Sequence, residues 1–177
     1  MMLCVIAKLD DASTGKLETL RRNAFPDYAA ARPLHGHITI AAYIGDDETR
    51  FIHFCREAMD GIHSFTVAYE TIEILEETSI LAAIPSKTGV LDSLHQMIAA
   101  QFRDDLDRWT GSDRWYPHTT LLYNPKIDLH TLRRQMMKEF VPISADICRI
   151  EFSCVFENGY EIVDHMDLPP DKRGQSR

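Results

Sequence analysis

The sequence predicts an α+β fold, a duplicated β-α-β-α-β unit whose two mainly antiparallel sheets form one cleft with the helices outside. Three observations predict it. Apolar residues switch between strand and helix periodicity in the same order through each half of the chain. A tetrapeptide of the form His-x-Thr-aliphatic stands in the middle strand of each half, as His37-Ile38-Thr39-Ile40 and His118-Thr119-Thr120-Leu121. Phe65 and Asp146, near the start of the following strand in each half, both lie 28 residues beyond their histidine. An internal duplication accounts for that agreement. The expected organisation is a single bilobal domain over residues 1–168, with repeats at about 2–76 and 78–167 and a flexible tail over 169–177.

Residues 2–9 (MLCVIAKL) read as the first strand. Asp11 and Ser13 offer caps for a helix in which Leu17, Leu20, Ala24 and Phe25 recur at helical spacing, and Pro26 ends it. A loop through Arg32-Pro33 leads into the first His-x-Thr strand at about 36–44. Gly45-Asp46-Asp47 stops that strand and caps a second helix with Phe51, Ile52, Cys55, Ala58 and Met59 on its core face. SFTVAYETIEILEE then fits one long bent strand or two short ones. The series restarts with a strand at 79–84, a turn from Pro85 to Gly89, and a long helix carrying Leu91, Leu94, Ile98, Phe102 and Leu106. After the polar loop TGSDR, Trp115-Tyr116-Pro117 opens the second His-x-Thr strand. Asp128 caps a fourth helix bearing Leu129, Leu132, Met136 and Phe140. Strands at about 143–156 and 160–167 follow, joined at Asn158-Gly159, a pair suited to a tight two-residue turn.

Bulk properties narrow the function. The net charge of −8 argues against a dedicated binder of long nucleic acid, which needs a basic stripe for its phosphate contacts. The cations are scattered, as at Lys8, Arg32, Lys87, Arg114 and Arg149, so a small nucleotide or a terminal phosphate is the expected partner. The apolar runs are too short to span a bilayer, and the N-terminus lacks the flanks of a signal peptide. Cys4, Cys55, Cys148 and Cys154 form no CxxC pair, which fits reduced thiols in a cytoplasmic protein.

The two tetrapeptides carry the chemistry. Side chains alternate along a strand, so His37 and Thr39 share one face, and His118 and Thr120 share another. Ile38, Ile40 and Leu121 turn inward, and Thr119 is the one polar residue among them. Displacement at a phosphodiester needs a base for the nucleophile and an acid for the leaving alkoxide. Histidine serves either role because its ordinary pKa is about 6.5. Threonine hydroxyls can donate to the non-bridging oxygens, where charge must be held.

On HITIAAYIGD and PHTTLLY the chain resembles the two-histidine (2H) phosphoesterases, which include bacterial 2′-5′ RNA ligase-like proteins and RNA 2′,3′-cyclic phosphodiesterases; the likeness covers about residues 2–167. It implies metal-independent cleavage or reversible joining at a cyclic phosphate or 2′-5′ phosphodiester, without a cofactor. It also implies His37 and His118 as catalytic residues, with Thr39 and Thr120 binding the phosphate. RNA-processing members often carry an arginine shortly after each motif. Here Ala41 or Tyr43 and Tyr123 stand instead, which favours a smaller cyclic phosphate or nucleotide. Tyr43 and Tyr116 are candidates to stack a base, with core packing as the competing reading; core packing is the better reading for Trp115. Two other functions compete. His35, His37 and His118 could form a three-histidine metal site of a metal-dependent hydrolase. A non-catalytic nucleotide or phosphate sensor could use the same fold. The two-histidine mechanism needs no role for His35, and His53, His63, His95, His130 and His165 read as surface or helix-face residues. No oligomeric state is implied.

Overall fold

Strand and helix follow one another as the periodicity requires. In the computed structural model, which describes residues 2–26, 35–111, 115–124, 126–156 and 159–171, the chain runs β1 (Met2–Leu9), α1 (Asp11–Ala24), β2 (His37–Tyr43), α2 (Glu48–Ala58), β3 (Phe65–Ile74), β4 (Ile80–Ser86), α3 (Gly89–Phe102), β5 (Thr119–Tyr123), α4 (Leu129–Glu139), β6 (Ile143–Phe156) and β7 (Gly159–Asp167). A 3-10 turn at Arg103–Asp105 follows α3. It removes Leu106 from the helix, although Leu106 is still buried and bridges to Tyr43. The first helix is capped by Asp10, whose side chain accepts from Ser13 N at 2.8 Å, one residue before the expected Asp11. Asp47 and Asp128 cap α2 and α4 as expected.

Among the described residues every strand pairing is antiparallel. The expected two sheets are joined into one seven-stranded sheet of order β2-β1-β6-β3-β4-β5, with β7 on β6. The cause is the length of β6: its 14 residues pair with β3 through 143–147 and with β1 through 147–155. It starts at Ile143, three residues before the Asp146 that the spacing marked. The strand order is unchanged when β1, β2 and β3 are exchanged with β4, β5 and β6. The third strand of each half therefore lies against the other half: β3 beside β4, and β6 beside β1.

The helices cover one face of the sheet. Leu17 of α1, Phe51 of α2, Leu94 and Ile98 of α3, and Leu132 and Met136 of α4 pack there with Val5, Ile38, Tyr69 and Phe152 of the strands. Burying side chains of this size contributes about 1.5–3 kcal/mol each. The other face carries a small separate cluster of Cys4, Ile6 and Ala42, and His37 and Thr39 lie on that face. The four cysteines are unpaired. No helix among the described residues is long and apolar enough to cross a membrane.

Beyond β7 the chain is held for three residues of the expected tail: Pro169 O accepts from Ser64 N at 2.8 Å, and Asp171 N donates to Ser64 Oγ at 3.3 Å. Phe156 pairs with Gly159, so Gly159, expected in the connecting turn, belongs to β7. Asn158, the Arg32-Pro33 loop, Arg114 and residues 172–177 lie outside the described residues.

Candidate active site

The two motif strands stand at opposite ends of the strand order, yet they touch. Thr119 Oγ1 donates to the His37 carbonyl at 2.9 Å. With that hydroxyl proton used, the buried contact of 2.6 Å between Tyr69 Oη and Thr119 Oγ1 has Tyr69 as donor. Thr119, the polar exception on the inward face, is thus the residue that closes the curled sheet. It is 3% exposed.

Each motif strand also breaks its pairing at the same place. β1 pairs Ile6 with Thr39 and Val5 with Ala41, leaving Ile40 as an extra residue. β4 pairs Ala82 with Thr120 and Leu81 with Leu122, leaving Leu121 as the extra one. A bulge directly after each motif threonine re-aims everything beyond it. Tyr43 would share the His37 face in a regular strand. Instead it points into the core, stacked on Phe51 at 4.3 Å between ring centroids, with its hydroxyl accepting from Asp47 N at 3.1 Å. Tyr43 is therefore not available to a base. Tyr116 is exposed, and its ring remains open to one.

The histidines are held alike. His37 Nδ1 lies 3.0 Å from the His35 carbonyl, and His118 Nδ1 lies 2.8 Å from the Tyr116 carbonyl. A carbonyl only accepts, so each Nδ1 carries the proton and each Nε2 is left for the cleft. His37 opens β2, and His118 stands immediately before β5; both are half-buried. Thr39 is half-buried and Thr120 exposed, and neither hydroxyl has a partner among the described residues. Burial pushes His37 down to about 4, and the nearby His35 and His118 add to the effect while the His35 carbonyl opposes it. Burial lowers His118 too, against the Tyr116 carbonyl.

The outer edge of β2 is covered by the second half of the chain. Trp115 Nε1 donates to Thr39 O at 3.1 Å, His95 Nδ1 to Ile40 O at 2.9 Å, and Asp107 N to Ala42 O at 2.8 Å. Trp115 and His95 stack at 3.9 Å between centroids. His95, on α3, is thus a buried support of the first motif and not a surface residue. An apolar run with one histidine on a helix gives no sign of a bond to a strand carbonyl 55 residues away. Thr119 alone offered a signal, as a hydroxyl where a core residue belonged.

The sequence pattern of the 2′-5′ RNA ligase superfamily matches residues 9–153. The chain belongs to that superfamily. Solved structures agree in fold. TT0787 of Thermus thermophilus has a TM-score of 0.66 at 12% identity, covering 97% of this chain and 100% of its own. E. coli LigT complexed with NADP+ has a TM-score of 0.65 at 16% identity, covering 94% and 96%. A structure described as a phosphoesterase has a TM-score of 0.62 at 14% identity, covering 94% and 97%. A search of curated proteins gave no significant match.

In this member of the 2′-5′ RNA ligase superfamily the three-histidine metal set does not assemble. His35 Nε2 lies 2.8 Å from Glu151 Oε2. Among the described residues no three His, Cys, Asp or Glu side chains converge closely enough to hold a metal ion. The described site offers two imidazoles with free Nε2 atoms and two unpartnered hydroxyls.

Proposed function

We propose that the protein is a metal-independent phosphoesterase acting on a cyclic phosphate or 2′-5′ phosphodiester of a nucleotide or RNA end. His37 and His118 act as base and acid through Nε2, and Thr39 and Thr120 donate to the non-bridging oxygens. The observation that carries this reading is the matched restraint of the two rings, each Nδ1 bound to the carbonyl two residues earlier. Restraint at Nδ1 suits both roles, because a neutral ring then accepts at Nε2 and a charged one donates there. With both rings lowered, the free site favours neutral imidazoles. The negative charge of a bound phosphate favours protonating one of them, which supplies the acid.

A nucleotide substrate is supported by the E. coli LigT structures, complexed with NADP+, 3′-AMP and ATP, and by the exposed ring of Tyr116 beside His118. The net charge of −8 supports a small or terminal phosphate over a long nucleic acid. The exchange symmetry of the strand order supports one bilobal domain over residues 1–168 with repeats at about 2–76 and 78–167. Unpaired cysteines support a cytoplasmic setting. The test is turnover of 2′,3′-cyclic nucleotides, ADP-ribose cyclic phosphate and 2′-5′ linked oligonucleotides, with and without chelator. Chelator-resistant turnover of one class is expected. Chelator inhibition reversed by one divalent metal would overturn the metal-independent mechanism, and binding without turnover would make the protein a sensor.

A further inference from the structure

The tripeptide His35-Gly36-His37 is clamped more tightly than a motif strand requires. A Cβ at Gly36 would lie 2.9 Å from both Leu9 Cδ1 and Thr14 Oγ1, and the Gly36 carbonyl accepts from Leu9 N at 2.9 Å. The backbone is pinned between β1 and α1, and the histidines on either side engage different partners. The His35 carbonyl accepts from His37 Nδ1 at 3.0 Å. The His35 ring turns to β6, where Nε2 meets Glu151 Oε2 at 2.8 Å. The Glu151 side chain is only 7% exposed. Both facing atoms are sealed from solvent, and neither has an aligned hydrogen-bond partner. Each is what the other faces. Ile6 pairs with Thr39 on one side and with Glu151 on the other, so the carboxylate lies on the motif face of the sheet, two strands from β2.

A buried carboxylate costs several kcal/mol unless it is compensated, and replacing both members of a buried pair by apolar side chains is often neutral or stabilising, whereas removing one strands the other. The group has no packing reason to be there. We propose that Glu151 is a positioning residue for His37: by holding the His35 ring it fixes the His35 carbonyl, and through it the tautomer and direction of the His37 ring. The proposal rests on the two-histidine reading above and gives His35 the role that the motif alone did not require.

The test compares Glu151→Leu and Glu151→Gln with the full-length wild type, using a 2′,3′-cyclic nucleotide and 15N NMR of the imidazoles. Glu151→Leu leaves the buried His35 Nε2 facing an apolar side chain and should melt below the wild type while remaining folded. Its kcat should fall about 10- to 100-fold with KM changed less than about twofold, the size of effect typical when a group that orients a ligating or reacting histidine is lost. Its His37 ring should change from the Nδ1–H tautomer to a mixture. Glu151→Gln keeps a polar oxygen against His35 Nε2 and should recover most of the turnover. Wild-type kcat in folded Glu151→Leu, or a loss of kcat with the His37 tautomer unchanged, would overturn the proposal. If Glu151→Leu does not fold, the double variant His35→Phe/Glu151→Leu, which strands neither group, carries the same expectations for kcat and for the His37 tautomer. The NMR comparison needs no turnover, so an inactive wild type defeats the enzymatic reading while the tautomers still decide the role of Glu151.

Discussion

His37→Asn should remove a specific part of the protein's acid sensitivity. Asparagine can keep a donor for the His35 carbonyl but does not titrate. In the folded chain burial holds His37 at about 4, against 6.5 for the free side chain. Between those values the unfolded chain binds the proton and the folded chain does not. Stability is therefore undiminished above the unfolded pKa, falls as the pH drops through the window, and is fully lost below the folded pKa. At pH 5 the linkage amounts to about 2 kcal/mol. His118 and His95 shift in the same direction and are present in both proteins; His95 cancels from the comparison, and His118 does so apart from its repulsion of a charged His37, the least of the causes acting on that ring. The lowered carboxylates Asp10, Glu18, Asp128, Asp164 and Asp167 are also present in both proteins, so they too drop out of the difference. Urea unfolding at pH 7 and pH 5 measures the effect. The wild type should lose about 2 kcal/mol more than His37→Asn, a difference of about 1 M in midpoint at an ordinary slope. Equal losses in the two proteins would refute the burial of His37.

Three further outcomes follow from the site. His37→Ala and His118→Ala should each reduce kcat/KM by about 10²–10⁴-fold, and the double variant should cost far less than the product; a substrate with a very good leaving group should rescue only the variant lacking the acid, and wild-type rates in both would exclude acid–base catalysis by the pair. Thr119→Val should destabilise by about 1–3 kcal/mol for each buried group it strands, the Tyr69 hydroxyl and the His37 carbonyl, whereas Thr119→Ser should be nearly neutral in urea unfolding. Tyr116→Ala should weaken nucleotide binding by about 1–3 kcal/mol if the ring stacks a base, and should leave the KM of a cyclic phosphate without a base unchanged.

Much of this protein was determined by the sequence alone. Strand and helix periods are local, so the element order, the caps at Asp47 and Asp128 and the inward faces of Ile38, Ile40 and Leu121 could be read from side-chain spacing. The paired His-x-Thr strands were legible for the same reason, since one residue type at two-residue spacing defines a face. What spacing could not supply was anything set by a partner distant in the chain. The bulges after Thr39 and Thr120 depend on β1 and β4 being a residue short opposite them, and they sent Tyr43 into the core. The joining of two expected sheets depends on β6 meeting both β1 and β3. The supports of the first motif, Thr119, Trp115 and His95, bond to backbone carbonyls, which look alike at every position in a sequence. Only the tertiary structure brings a particular carbonyl within reach of a particular donor, and it alone sets Glu151 against His35.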